Sequence, residues 1–178
     1  MNKHLEKLIN PMLIIGLAVA ARLLPHPPNF APIAAMALFG GAYLSPRYAI
    51  LVPLLALFLG DLFIGLYSPL VMISVYGSFV LTGALGIWLK KRKNPRNVVL
   101  ATVGASLLFF LITNLAVWAA GAYARDFSGL VQSYVMGLPF LKNTLAGDLF
   151  YTISFFGGYE LAIRIVSSRK PALVRVRP

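Results

Sequence analysis

Apolar residues in this chain come in long blocks, and polar residues gather at the breaks between them. A helix needs about 20 apolar residues to cross a bilayer, and six blocks approach that length. They predict spans over about Leu8–Leu24, Pro28–Leu44, Tyr48–Leu66, Pro69–Leu89, Asn97–Gly121 and Asn143–Val166, of which the second is short. Pro11, Pro28, Pro46, Pro69 and Pro95 fall at or near the starts of these runs, where a missing N–H costs little. Between the fifth and sixth runs, Phe127, Leu130, Val131, Tyr134, Val135 and Leu138 recur at i, i+3, i+4, i+7, i+8 and i+11. That single apolar stripe predicts a short amphipathic helix in the last external loop. It would serve as a lid over a pocket or simply pack on the membrane interface. The fold class expected is all-α: a polytopic membrane protein of six transmembrane helices, forming one integral membrane domain over residues 1–178.

Composition agrees with this class. The chain is 59% hydrophobic and 12% charged, with a mean hydropathy of +0.80, whereas soluble domains are about 45–50% apolar and about 25% charged. The net charge of +11 would suit nucleic acid, but the basic residues stand at the ends of apolar runs, where membrane topology places them. With the N-terminus inside, thirteen of the sixteen Lys and Arg fall on the cytoplasmic face. Only Arg22, Arg125 and Lys142 fall outside. The expected topology is therefore N-in and C-in, in a bacterial cytoplasmic (inner) membrane. The N-terminal run reads as a span and not as a cleavable signal. The Lys90-Lys91-Arg92-Lys93 run is a topology determinant that could also touch anionic membrane lipid. The absence of cysteine removes thiolate sites, and two histidines make no metal cluster. No metal or cofactor is expected.

The candidate chemistry centres on a tetrapeptide that occurs twice, Gly60-Asp61-Leu62-Phe63 and Gly147-Asp148-Leu149-Phe150. Two of only five acidic residues thus fall in segments that read as membrane-embedded, where an ionisable group is a functional-site hypothesis by default. The N-in orientation places both aspartates near the outer surface, together with Asn114, Trp118 and Tyr151. Each carboxylate could meet a ligand. Alternatively Asp61 could pair with Arg22, and Asp148 with Arg125 or Lys142. The glycine before each would let a neighbouring backbone or ligand come close. The stiff loop Pro25-His26-Pro27-Pro28-Asn29-Phe30 offers His26 and Asn29, with helix capping the favoured role for Asn29. Tyr67 sits in the next external turn. Binding residues expected are therefore Asp61, Asp148, Asn114, His26, Asn29, Tyr67, Trp118 and Tyr151, with no catalytic residue. In the first span, Gly16, Ala18, Ala20 and Ala21 present small side chains suited to close helix docking.

The run from Arg22 to Arg47 and the block Leu138-Pro-Phe-Leu-Lys-Asn-Thr-Leu-Ala-Gly-Asp-Leu149 resemble an uncharacterised bacterial family of small membrane transport proteins. The likeness covers nearly the whole chain. More distantly, Phe39-Gly-Gly-Ala-Tyr-Leu-Ser-Pro-Arg47, with the apolar span that ends in Gly60-Asp61, is similar to the second and third helices of the S components of energy-coupling-factor vitamin transporters. That resemblance implies six helices, outer loops closing over a vitamin-like ligand, and docking of the first helix to a T component that works with ATPase subunits. The first-helix pattern here departs from a clean alanine-x-x-x-alanine repeat. Some S components for cobalamin act alone, and one group binds cobalt through a cysteine that this chain lacks.

The reading is a substrate-binding transport protein and not an enzyme, capturing a vitamin-like small molecule in an outer-leaflet pocket. The common hydrolase and phosphate-loop motifs are missing. Two other classes stand beside it. An intramembrane aspartyl protease would bring Asp61 and Asp148 to one shared water, although Phe58 and Leu145 replace the first glycine of the expected motif. A non-catalytic assembly subunit would have no outer cavity, with both aspartates in salt bridges.

Overall fold

The computed structural model describes residues 19–22, 24 and 27–168. The first predicted span lies outside these residues except for a helical turn at 19–22, and so do Gly16, Ala18 and His26. Among the described residues the fold is helical throughout, with no strand. Helices run over Ile33–Tyr43 (α1), Pro46–Ile64 (α2), Pro69–Leu89 (α3), Pro95–Ala119 (α4) and Phe127–Thr152 (α5). A π-helical turn over Ile153–Gly157 then leads into Gly158–Ser168 (α6). Three of these, α2, α3 and α4, are long and apolar enough to cross a membrane.

Local sequence explains the boundaries. Pro46, Pro69 and Pro95 each occupy the first turn of their helix, where the ring's fixed φ is already helical. Asn94 caps α4 by accepting from the Asn97 amide at 2.8 Å, and Asp126 caps α5 by accepting from the Gly129 amide at 2.7 Å. Both satisfy amides that the helix start leaves without partners.

The helix α1 is the core element. All of its residues except Phe39 are buried, and it packs against α3, α2 and α5. A helix apolar on every side belongs inside a bundle. Within the predicted short span over Pro28–Leu44, the helix covers the eleven residues Ile33–Tyr43, about 16 Å. Pro28 and Pro32 hold the preceding segment out of the helix. Asn29 there adopts φ 63°, a left-handed conformation that asparagine tolerates better than most residues. The expected capping role for Asn29 is corrected, because Pro32 holds the N-cap position and no side chain caps this helix.

Small residues set the helix crossings. At the crossing of α1 and α3, a Cβ on Gly41 would overlap the Gly86 backbone, and one on Gly86 would crowd the Ala37 and Leu38 carbonyls. Large apolar side chains point the other way. On α2, Leu51, Leu55, Phe58 and Leu62 form an exposed stripe at helical spacing, the face a lipid-embedded bundle turns outward.

The separate amphipathic helix expected before the sixth span is corrected. Residues 127–152 form one helix carrying Pro139 in its interior. Its first half packs on α4 through the small residues Ser133 and Gly137 and on the Ala124 backbone through Gly129, while Phe127, Val131, Val135 and Leu138 are exposed. The Ser133 hydroxyl donates to the Asn114 carbonyl at 2.8 Å, and the Tyr134 hydroxyl donates to the Leu111 carbonyl at 2.9 Å. The apolar stripe is the outward face. The inward face is the small-residue repeat, which close helix approach in a membrane favours.

Candidate functional site

Asp61 stands in the last turn of α2 and is fully buried. The Arg22 guanidinium forms an ion pair with it. The Tyr76 hydroxyl, from α3, donates to its second oxygen at 2.9 Å. Tyr67, in the loop between α2 and α3, also faces this carboxylate. Burial, reinforced by Asp61, pushes the Tyr67 hydroxyl up to about 12, so it stays a neutral donor at physiological pH. The pairing of Asp61 with Arg22 is thus realised. Gly60 makes room for it, since a Cβ there would run into the Arg22 side chain.

Asp148 is held differently. It is buried in α5 and accepts from the Ser106 hydroxyl of α4 at 2.7 Å. Among the described residues it has no cation within ion-pair distance, and Arg125 and Lys142 are both exposed. Ser106 lies midway along α4, so Asp148 sits deeper in the bundle than Asp61, which stands beside the α2–α3 loop. That corrects the expectation of one shared depth. The preceding Gly147 packs on Phe30, whose Cα would stand 3.0 Å from an added Cβ. Both glycines of the repeated tetrapeptide therefore seat the same segment, Gly60 through Arg22 and Gly147 through Phe30. The Phe30 ring also packs on Phe150 and Tyr151, with centroids 5.9 and 5.7 Å away.

A cavity of about 260 Å³ connects the two carboxylate environments. Arg22, Asn29 and Tyr67 line it towards the Asp61 cluster, and Asp148, Thr144 and Thr82 line it deeper in. Between them, Ile33, Leu57, Val75, Phe79 and Phe109 form apolar walls. The two phenylalanine rings stand 5.5 Å apart and tilted by 41°.

Of the residues expected at a site, the cavity brings together Asp148, Asn29 and Tyr67, with Asp61 behind Arg22 and Tyr67. Asn114 is not on its wall. The Asn114 amide donates to the Phe110 carbonyl at 2.8 Å, and its side chain packs on Gly137 at the contact of α4 with α5. Trp118 donates to the Ala124 carbonyl at 3.0 Å, closing the α4–α5 loop. Tyr151 joins the aromatic group around Phe30. Ala20 is exposed and Ala21 half-buried. None of residues 122–142, read as either a lid or an interfacial helix, lines the cavity, to which α5 contributes Thr144 and Asp148.

Sequence reasoning passed over Tyr76, Thr82, Ser106, Phe79 and Phe109. The hydroxyls carried a signal, because polar side chains inside an apolar span turn towards the bundle interior. A second polar group, on the far side of the bundle, was also missed. There Glu160 of α6 accepts from Tyr43 at 2.7 Å and from Lys93 at 2.8 Å, and the Lys93 ammonium stands 4.0 Å from the centre of the Tyr43 ring. Hydrogen bonds from Tyr43 and Lys93 hold the three together, tying α1, the α3–α4 loop and α6.

Three long apolar helices packed around a buried short one, with a cavity between two carboxylates, define a helical membrane protein with an internal polar site. The chain belongs to a family of unknown function, DUF6580, which matches residues 2–173. This bears out the expected membership of an uncharacterised family. No curated protein and no solved structure matches the chain.

Proposed function

We propose that this protein is a substrate-binding membrane transport protein, similar in plan to the S components of vitamin transporters. It captures a small molecule from outside in the cavity between Asp61 and Asp148. In this reading six spans cross a bacterial cytoplasmic membrane with both ends inside, and the first span carries the small-residue face that docks a T component and its ATPase subunits. The observation that carries the reading is the cavity itself. It joins a charged cluster at one end to a buried carboxylate at the other, and apolar walls with a few convergent polar groups are the usual make-up of a ligand site.

The competing classes fit these features less well. An aspartyl protease needs two carboxylates that share a proton, whereas Asp61 and Asp148 have separate partners, Arg22 and Tyr76 for one and Ser106 for the other. An assembly subunit would have both aspartates in salt bridges, and Asp148 has none among the described residues.

Purification followed by mass spectrometry of co-purifying small molecules tests the proposal. Wild-type protein should retain a compound that Asp148→Asn and Asp61→Asn retain less well. If neither substitution changes the retained compounds, the cavity is not the site.

A further inference from the structure

Four acidic residues lie among those described. Asp61 is paired with Arg22, Asp126 caps α5, and Glu160 is held by Lys93 and Tyr43. Asp148 is the buried one with no cation within ion-pair distance among the described residues. Its single hydrogen bond comes from the neutral Ser106 hydroxyl, and it stands in the wall of the cavity. Within that cavity the Arg22 charge is already matched by Asp61. Counting Asp61 behind the lining, the described groups around the cavity carry one negative charge more than positive when Asp148 is ionised. A carboxylate at this depth is costly without a counter-charge. A ligand that brings a cation removes that cost, and an anionic ligand adds to it.

The walls beside Asp148 narrow the class further. Phe79 and Phe109 present tilted rings to the same space, and ring faces attract a cation or stack on a flat ligand. At about 260 Å³, the cavity lies at or below the lower end of the usual range for ligand sites, about 300–1,000 Å³. It holds one ring with a short arm and is far too small for a corrin. The geometry points to a small organic cation as the substrate: an aromatic or heteroaromatic amine whose ammonium meets Asp148 while its ring lies against Phe79 and Phe109. Thr144 and Thr82 stand in the same lining as hydroxyl partners for polar groups on the ligand. This rests on the cavity being a ligand site, and it adds the sign of the charge.

The test is a thermal-shift titration of the full chain in detergent with three probes that share a ring and differ in charge: benzylamine, benzyl alcohol and benzoate. Benzylamine should raise the melting temperature, benzyl alcohol should do so weakly, and benzoate should not. Asp148→Asn, which keeps the size of the side chain, should lower benzylamine affinity by about 10- to 100-fold, the worth of a charge-assisted hydrogen bond, and lower benzyl alcohol affinity by a smaller factor. Phe109→Leu should lower benzylamine affinity by a smaller factor. Preference for benzoate, equal response to all three probes, or no response to any of them overturns the cation assignment. So does a benzylamine response that survives in Asp148→Asn. The wild-type series stands by itself if the variant does not fold. A co-purifying compound that is neutral or anionic would sink this assignment while leaving the proposed function intact; an empty cavity in the mass-spectrometric test would sink the function.

Discussion

At the scale of single residues, the Arg22–Asp61 pair is the interaction whose loss should be felt most. Asp61 has 1% of its side chain exposed and Arg22 has 17%, so little solvent remains to take over if one partner goes. Removing one member of a buried pair typically costs about 3–5 kcal/mol, because the other charge is left without compensation, whereas replacing both by apolar groups is often nearly neutral. Arg22→Met should therefore lower the melting temperature more than the double replacement Arg22→Met with Asp61→Leu. Thermal denaturation in detergent measures both, and a double variant that is additive or worse would mean the pair contributes no coupling. Gly60→Ala should destabilise through the same contact, since the new methyl group meets the Arg22 side chain. This part of the site was readable in the sequence: a rare acid, a small neighbour and Arg22 on the same side. Ser106 was not, because a serine among apolar residues declares a partner only once α4 and α5 are packed.

At the scale of elements, glycine spacing predicts where substitution is tolerated. At Gly41 and Gly86 the backbones of α1 and α3 touch, leaving no space for a methyl group. Gly77 on α3 and Gly104 on α4 have nothing within 4 Å of an added Cβ. Gly86→Ala should thus separate two helices and sharply reduce the yield of folded protein. Gly77→Ala should leave stability unchanged or raise it by up to about 1 kcal/mol through helix propensity. Size-exclusion profiles of the purified variants distinguish the outcomes, and similar behaviour of the two would contradict the packing. Helix boundaries were well marked in the sequence wherever proline begins a helix: α3 runs over Pro69–Leu89 as expected, and α2 and α4 start within two residues of the predicted spans. The failures have one physical origin. The apolar stripe over residues 127–138 was read as a separate helix on the outer surface, a lid or an interfacial helix. In a lipid-facing bundle small residues pack and large apolar ones face out, so the same stripe marks the outer side of a helix packed on α4. Pro139 inside α5 does not end the helix, as membrane helices accommodate proline.

At the scale of the whole molecule, the distribution of charge makes a prediction that geometry alone does not. Lys90, Lys91, Arg92 and Lys93 cluster at the α3–α4 connection, and all four are exposed. The opposite ends of these helices meet the loops at residues 65–68 and 120–126, which hold Arg125 as their only basic residue. A bias of this kind predicts that the basic connection lies in the cytoplasm. The natural chain has no cysteine, so single-cysteine variants report topology without background. In intact cells, Ala122→Cys should react with a membrane-impermeant maleimide, and Lys91→Cys should react only after the membrane is permeabilised. The reverse pattern would put the loop that carries Tyr67 in the cytoplasm, so the cavity would be filled from inside and an uptake protein would become an exporter. Under the proposed function, orientation decides the direction of transport, while the chemistry of the cavity, with Asp148 as its uncompensated acid, decides what is carried.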